Sequence, residues 1–192
     1  SVLNPDGRSD RRRVGQEGGS TRGSRWSPDR ERNDFGFGTF FGGRGFGPAR
    51  LHMVNADGTQ DRPVLAGKFN VGFPTWSPDG KVLVYRTWGD ETDREARGLR
   101  EINLADQSVR VLTREWDNFP FYSPSGDRIV FTRRMPDADF EVFTMKPDGS
   151  ELKNLTRHPA QDNYATFAPD GKRLAFLSGR DGGCDIYVIP SE

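Results

Sequence analysis

The chain has 192 residues with 28 basic and 28 acidic side chains, so its formal net charge is zero. That balance excludes a dedicated nucleic-acid or anionic-membrane binder, which needs a lasting positive field. No stretch approaches the ~20 apolar residues of a membrane-inserted span, and a single cysteine, Cys184, rules out an internal disulfide and a cysteine-based zinc site.

From the N-terminus, residues 2–7 read as the end of one strand followed by a turn, Asn4-Pro5-Asp6-Gly7. Residues 1–50 hold ten arginines against six acids, net +4, an offset that suits a solvated surface as well as a partner site. Trp26-Ser27-Pro28-Asp29 then opens a pattern that returns as Trp76-Ser77-Pro78-Asp79-Gly80, Tyr122-Ser123-Pro124-Ser125-Gly126 and Phe167-Ala168-Pro169-Asp170-Gly171. The spacings are 50, 46 and 45 residues, and a period of this length means a repeat architecture. Proline presets φ, aspartate accepts backbone hydrogen bonds and glycine takes positive φ, so each copy predicts a tight hairpin turn. The run after it alternates (Leu83, Tyr85; Ile129, Phe131; Leu174, Phe176), which places one side of a strand in a core.

A third strand is predicted over Phe140–Met145 and Asp185–Ile189, and a fourth over Glu151–Leu155. Between them fall the turns Asn55-Ala56-Asp57-Gly58 and Lys146-Pro147-Asp148-Gly149, with Leu104-Ala105-Asp106-Gln107 as a shorter form. Units close on Leu112-Thr113 or Leu155-Thr156, with Leu65-Ala66 as a variant. Four short antiparallel strands in tandem make a β-propeller blade. The expected fold is all-β: about four four-stranded blades in one segment, with units at 1–20 (partial), 21–66, 67–113, 114–156 and 157–192 (partial). Such an array is cut at both ends from a longer one. The alternative is a four-bladed ring in which residues 8–14 supply the last blade's missing fourth strand.

The first unit departs from the pattern. Arg30 stands in the glycine position, and residues 35–47 hold five phenylalanines and six glycines. This segment reads as an enlarged loop whose side chains fold back onto the blade, or as an exposed aromatic surface carrying Phe37, Phe40, Phe41 and Phe46. Arg44-Gly45 stands alone, which argues against an RNA-binding Arg-Gly segment.

No catalytic constellation is legible. There is no Gly-x-Ser-x-Gly elbow: Ser20 follows Gly18-Gly19, but Arg22 takes the second glycine's place. His52 lies in a predicted strand and reads as a structural residue, and His158 lies in a connecting loop and reads as a solvated one. Asp90-Glu91-Thr92-Asp93 lacks the EF-hand pattern and reads as a solvated loop. Asp137, Asp139, Asp181 and Asp185 read as turn caps or as partners of Arg133 and Arg180. No metal or cofactor is therefore expected. One constellation recurs: Asp117-Asn118-Phe119 and Asp162-Asn163-Tyr164 hold the same place before the turn aromatic, where the earlier unit has Val71-Gly72-Phe73. In an up-down-up-down blade this place shares a face with the loops 35–50, 87–98 and 133–139. The Asp-Asn pairs either bond to backbone and fix the start of the strand, or belong to a face that binds a protein or peptide.

The order aromatic-Ser-Pro-Asp-Gly-Lys, apolar strand, Asp-Ile-Tyr-Val-Ile, then Asp-Gly-Ser and Leu-Thr resembles the WD40-like propeller repeat of the TolB type. The likeness covers most of residues 51–192 and, more weakly, 1–50. It implies a parent of six or more blades and a non-catalytic scaffold for protein–protein or peptide binding. If it extends to function, it also implies a periplasmic or extracellular site. The same family includes propellers of prolyl-oligopeptidase-like and tricorn-like serine peptidases. The alternative is therefore a propeller that gates access to a catalytic domain outside this chain. A third option, a carbohydrate-processing or lactonase propeller, needs convergent acids or a metal at the axis.

Overall fold

The repeated turns are built by their own side chains. In the computed structural model, which describes residues 2–3, 10–11, 20–38, 49–65, 67–89, 92–137 and 139–191, the Gly80 amide donates to the Ser77 carbonyl at 2.9 Å. The Ser77 hydroxyl donates to Asp79 Oδ1 at 2.6 Å and accepts from the Val82 amide at 3.0 Å. In the first unit Arg30 adopts φ 63°, the left-handed backbone that glycine takes in the other three. In the third, Ser125 replaces the turn aspartate. Asp127 takes over its role, accepting from the Ser123 and Ser125 hydroxyls at 2.7 and 2.5 Å.

A two-stranded ribbon, β1 (Val2–Leu3) with β2 (Asp10–Arg11), precedes four blades of a β-propeller. Blade 1 comprises β3 (Ser20–Trp26), β4 (Arg32–Gly38), β5 (Arg50–Asn55) and β6 (Arg62–Pro63). Blade 2 comprises β7 (Asn70–Trp76), β8 (Val82–Trp88), β9 (Gly98–Asn103) and β10 (Val109–Val111). Blade 3 comprises β11 (Asp117–Tyr122), β12 (Ile129–Arg134), β13 (Phe140–Met145) and β14 (Lys153–Asn154). Blade 4 comprises β15 (Asp162–Phe167), β16 (Arg173–Ser178) and β17 (Asp185–Pro190). Strands pair in sequence order within each blade, and every pairing is antiparallel. A single 3-10 turn, Arg94–Ala96, is the helical structure among the described residues. None of these residues forms a helix long and apolar enough to cross a membrane.

The strands bury both of their sides. Leu83 and Tyr85 of blade 2 pack with Leu51 and Met53 of blade 1. Val84, pointing the other way, packs with Ile129 and Phe131 of blade 3. Val130 and Val142 of blade 3 then meet Leu174 and Phe176 of blade 4. The alternation read as one-sided burial is thus two-sided in blades 2 and 3, because each of these is covered by a neighbour on both faces. Each fully buried side chain of this size contributes roughly 1.5–3 kcal/mol.

Several expectations change. The fourth strand expected over 151–155 reduces to Lys153–Asn154, since the outermost strand has a partner on one side only. Residues 35–38, read as the start of an enlarged loop, complete β4, where Phe35 is buried and pairs with His52. The rest of that segment, with Phe40, Phe41 and Phe46, lies outside the described residues, as do Asn4–Gly7, Ala66, Asp90 and Glu91. Asp10–Arg11 pairs with Val2–Leu3, and no strand among the described residues pairs with the outer edge of β17.

Candidate functional site

Every inner strand carries a bulge at the same place. The pairing register shifts between Arg22 and Arg25, Gly72 and Thr75, Asn118 and Phe121, and Asn163 and Thr166. A bulge bends its strand and re-aims a side chain. The bulged residue is left-handed in all four blades: Gly23 at φ 65°, Phe73 at 53°, Phe119 at 51° and Tyr164 at 56°. The three aromatic rings consequently meet across the blades. Phe73 and Phe119 lie edge to face with centroids 4.9 Å apart, and Phe119 and Tyr164 lie 4.4 Å apart at 37°. Gly23 begins the row, and a Cβ there would sit 3.3 Å from Phe73 Cα. Tyr164 ends it, 54% exposed.

The Asp-Asn pairs lie directly before this ladder. Asp117 has no exposed surface. It accepts from Arg133 Nε at 2.7 Å and from Nη2 at 2.9 Å. Asp162 is equally buried and takes Arg180 Nη2 at 3.0 Å. The guanidiniums in turn lie over aromatic rings, Arg133 at 4.8 Å from the Phe143 centroid and Arg180 at 4.5 Å from that of Tyr187. Arg133 and Arg180 therefore serve the inner-strand aspartates, not the loop acids Asp137, Asp139 or Asp185. Asp181 instead meets the Tyr187 hydroxyl. Asn118 donates from Nδ2 to the Trp116 carbonyl at 3.3 Å, a local bond that fixes the start of β11.

Between these elements lies a cleft of about 560 Å³. Phe73, Phe119 and Tyr164 line it together with Arg86, Arg134, Trp116, Asn118 and Asn163. A second cleft shares Trp116 and Arg134 and extends the groove toward Arg97, Arg133, Met135 and Pro136. Burial pulls the Arg86 guanidinium down to about 10, against the opposing influence of Asp117. Of the sequence-selected residues, Asn118 and Asn163 reach the cleft, and Asp117 and Asp162 sit behind it as ion-paired supports. Phe37 packs elsewhere, edge-on to His52 with centroids 5.7 Å apart. In the sequence the ladder shows only as an aromatic at the same offset in three units, beside the more conspicuous Asp-Asn pairs.

The two histidines are engaged locally. His52 Nδ1 lies 2.8 Å from Asp61 Oδ1, and His158 Nδ1 accepts from the Ala160 amide at 3.1 Å. What the cleft offers is apolar surface, amides and cations in one concave place, the composition of a binding site.

Comparison with known proteins agrees with this architecture. The family described as the TolB beta propeller domain matches residues 43–192. A Protein TolB homolog of Chlorobium luteolum is 28% identical over 117 residues, 60% of this chain and 26% of the relative. The Tol-Pal system protein TolB of Bordetella pertussis is 26% identical over 140 residues, 71% of this chain and 31% of the relative. The chain thus spans about a quarter to a third of the length of these relatives. Among solved structures, TolB from Acinetobacter baumannii superposes with a TM-score of 0.78 at 18% identity, covering 98% of this chain and 45% of that one. A puromycin-hydrolyzing peptidase of Mycobacterium tuberculosis reaches 0.68 at 17% identity, covering 89% and 30%. With four blades in register and a family match over most of its length, the chain belongs to the TolB β-propeller family.

Proposed function

We propose that this chain is a non-catalytic TolB-like scaffold that binds a protein or peptide on the face carrying the aromatic ladder. The observation that supports it is the row of left-handed aromatics. Three blades hold a ring in a backbone that non-glycine residues avoid, and the row opens into a concave cleft. Strain of this kind is found where a site must be pre-organised. The family relationship points the same way, since one matched relative is named as a protein of the Tol-Pal system. A gate for a peptidase domain is the second reading, and it is carried by likeness of fold alone, to the mycobacterial peptidase and to prolyl endopeptidases.

Asp117 and Asp162 are poor probes of this reading, because removing either leaves an uncompensated guanidinium partly buried. Tyr164, exposed at the end of the ladder, is the better one. A displayed random-peptide library selected on the whole chain should yield binders that lose about tenfold or more in affinity for Tyr164→Asp. The melting temperature of that variant should fall by no more than about 2–4 °C, the share of one ring pair. A selection yielding no binder sensitive to Tyr164→Asp would count against the reading.

A further inference from the structure

The cleft has a charge preference of its own, although the chain as a whole is neutral. Arg86 and Arg134 line it with no carboxylate among the lining residues, and Arg97 and Arg133 line the second cleft that continues it, against one carboxylate, Glu115. Glu115 is already engaged by Arg94 at 2.8 Å. Behind the wall, Asp117 is bonded to Arg133 and is also the carboxylate that acts on Arg86, while Glu115 adds a weaker influence on Arg133, so two carboxylates stand against four guanidiniums. Arg134 is exposed at the rim and makes no ion pair among the described residues. The local balance is positive, and a concave site focuses such a field.

The ladder selects the shape of the occupant. Its rings meet at 75° and 37°, so they offer no flat platform on which a base or a sugar face could stack. They offer notches between rings, which suit a branched or aromatic side chain. Arginine guanidiniums recognise carboxylates through paired hydrogen bonds.

We propose that the cleft binds an extended acidic peptide segment. An aspartate or glutamate side chain bonds Arg134, with the field of Arg86 behind it, and a neighbouring apolar side chain enters the notch beside Tyr164. This inference rests on the peptide-binding reading above and adds to it the chemistry of the partner.

The test uses a labelled peptide of repeating Glu-Phe-Ser, a twin with Gln for every Glu, and a third with Lys for every Glu. Each is titrated onto the whole chain by fluorescence anisotropy. The acidic peptide should bind about tenfold more tightly than its Gln twin, the difference expected of a charge-assisted hydrogen bond. The gap should narrow as salt rises from about 0.01 M to about 0.15 M, where the screening length falls from ~30 Å to ~8 Å. R134E should abolish the acidic preference, and R134K should retain part of it. Equal affinities for all three peptides, or an acidic preference that survives R134E, overturns the charge assignment. Displacement of the acidic peptide by inorganic phosphate at matched ionic strength overturns it in favour of a small anion. If all three peptides fail while library-selected peptides bind, the acidic partner is wrong and the peptide reading stands. If both fail, the peptide reading falls with it.

Discussion

Phe73, Phe119 and Tyr164 each hold a left-handed backbone that costs a non-glycine residue about 1–2 kcal/mol. Packing of the rings on one another, at about 0.5–1.5 kcal/mol per pair, offsets much of that cost. A fourth residue under tension is Asp34 on β4, which has no exposed surface. Its Oδ1 accepts the Trp76 indole N–H at 2.5 Å across the junction of blades 1 and 2, while Oδ2 has no hydrogen-bond partner. Burial pushes its carboxyl up to about 7, and the Trp76 bond and nearby Arg25 only partly oppose this. The folded value lies above the unfolded one of 3.8, so the native state binds the extra proton between them. The resulting penalty is absent below about pH 4, grows as pH rises, and is complete above about pH 7. Asp34→Asn keeps an oxygen for Trp76 and cannot ionise. It should raise the melting temperature at about pH 8 and flatten the decline between about pH 4 and pH 7. An equal shift at both ends of that range would mean that Asp34 is not the titrating group.

The closing element of each blade explains the recurring Leu-Thr pair. In blade 2 the Leu112 amide bonds the Leu99 carbonyl at 2.9 Å, and the Thr113 hydroxyl accepts from the Leu99 amide at 2.9 Å. Blade 3 repeats this with Leu155 on Val142 at 2.8 Å and Thr156 at 3.1 Å. The leucine continues the outer strand by one bond and the threonine caps the next amide, so a fourth strand of two or three residues is enough. In blade 2 this closure presses on Gly98, which stands at φ 102° with Thr113 O only 2.2 Å from where a Cβ would be. Gly98→Ala combines backbone strain with a clash against a carbonyl and should cost at least ~2 kcal/mol in denaturant unfolding. Gly182, at φ 82° with nothing within 4 Å, supplies the control. Gly182→Ala should cost the strain alone, about 1 kcal/mol, and equal losses for the two variants would show that the Thr113 contact carries no weight.

At the scale of the molecule, stability comes from the junctions between blades. The face of blade 3 that carries Val130 and Val142 is covered completely by blade 4. The corresponding face of blade 4 leaves Ile186 at 72% and Val188 at 57% exposed, on a strand whose outer edge is unpaired among the described residues. An apolar, unpaired edge is a template for association. Ile186→Lys with Val188→Lys should therefore lower the concentration-dependent light scattering of this chain while leaving its melting temperature unchanged. Undiminished scattering would place the association elsewhere.

The turns, the strand order and the propeller class were legible in the amino-acid sequence because each is a local matter. Ser77, Pro78, Asp79 and Gly80 build their hairpin from bonds within a few residues, and the 45-residue recurrence of that turn repeats one blade. The Asp-Asn pairs were visible for the same reason, as recurrent letters. What they do was decided by the tertiary structure. Asp117 meets Arg133 across 16 residues, and Asp162 meets Arg180 across 18. Phe73, Phe119 and Tyr164 touch only because three separate bulges turn their rings toward one another around the axis. Alternation within a strand shows that its two sides differ. Only the stacking of blades decides that both are buried, because the neighbour covering the second side lies about 45 residues away and leaves no periodic mark on the first.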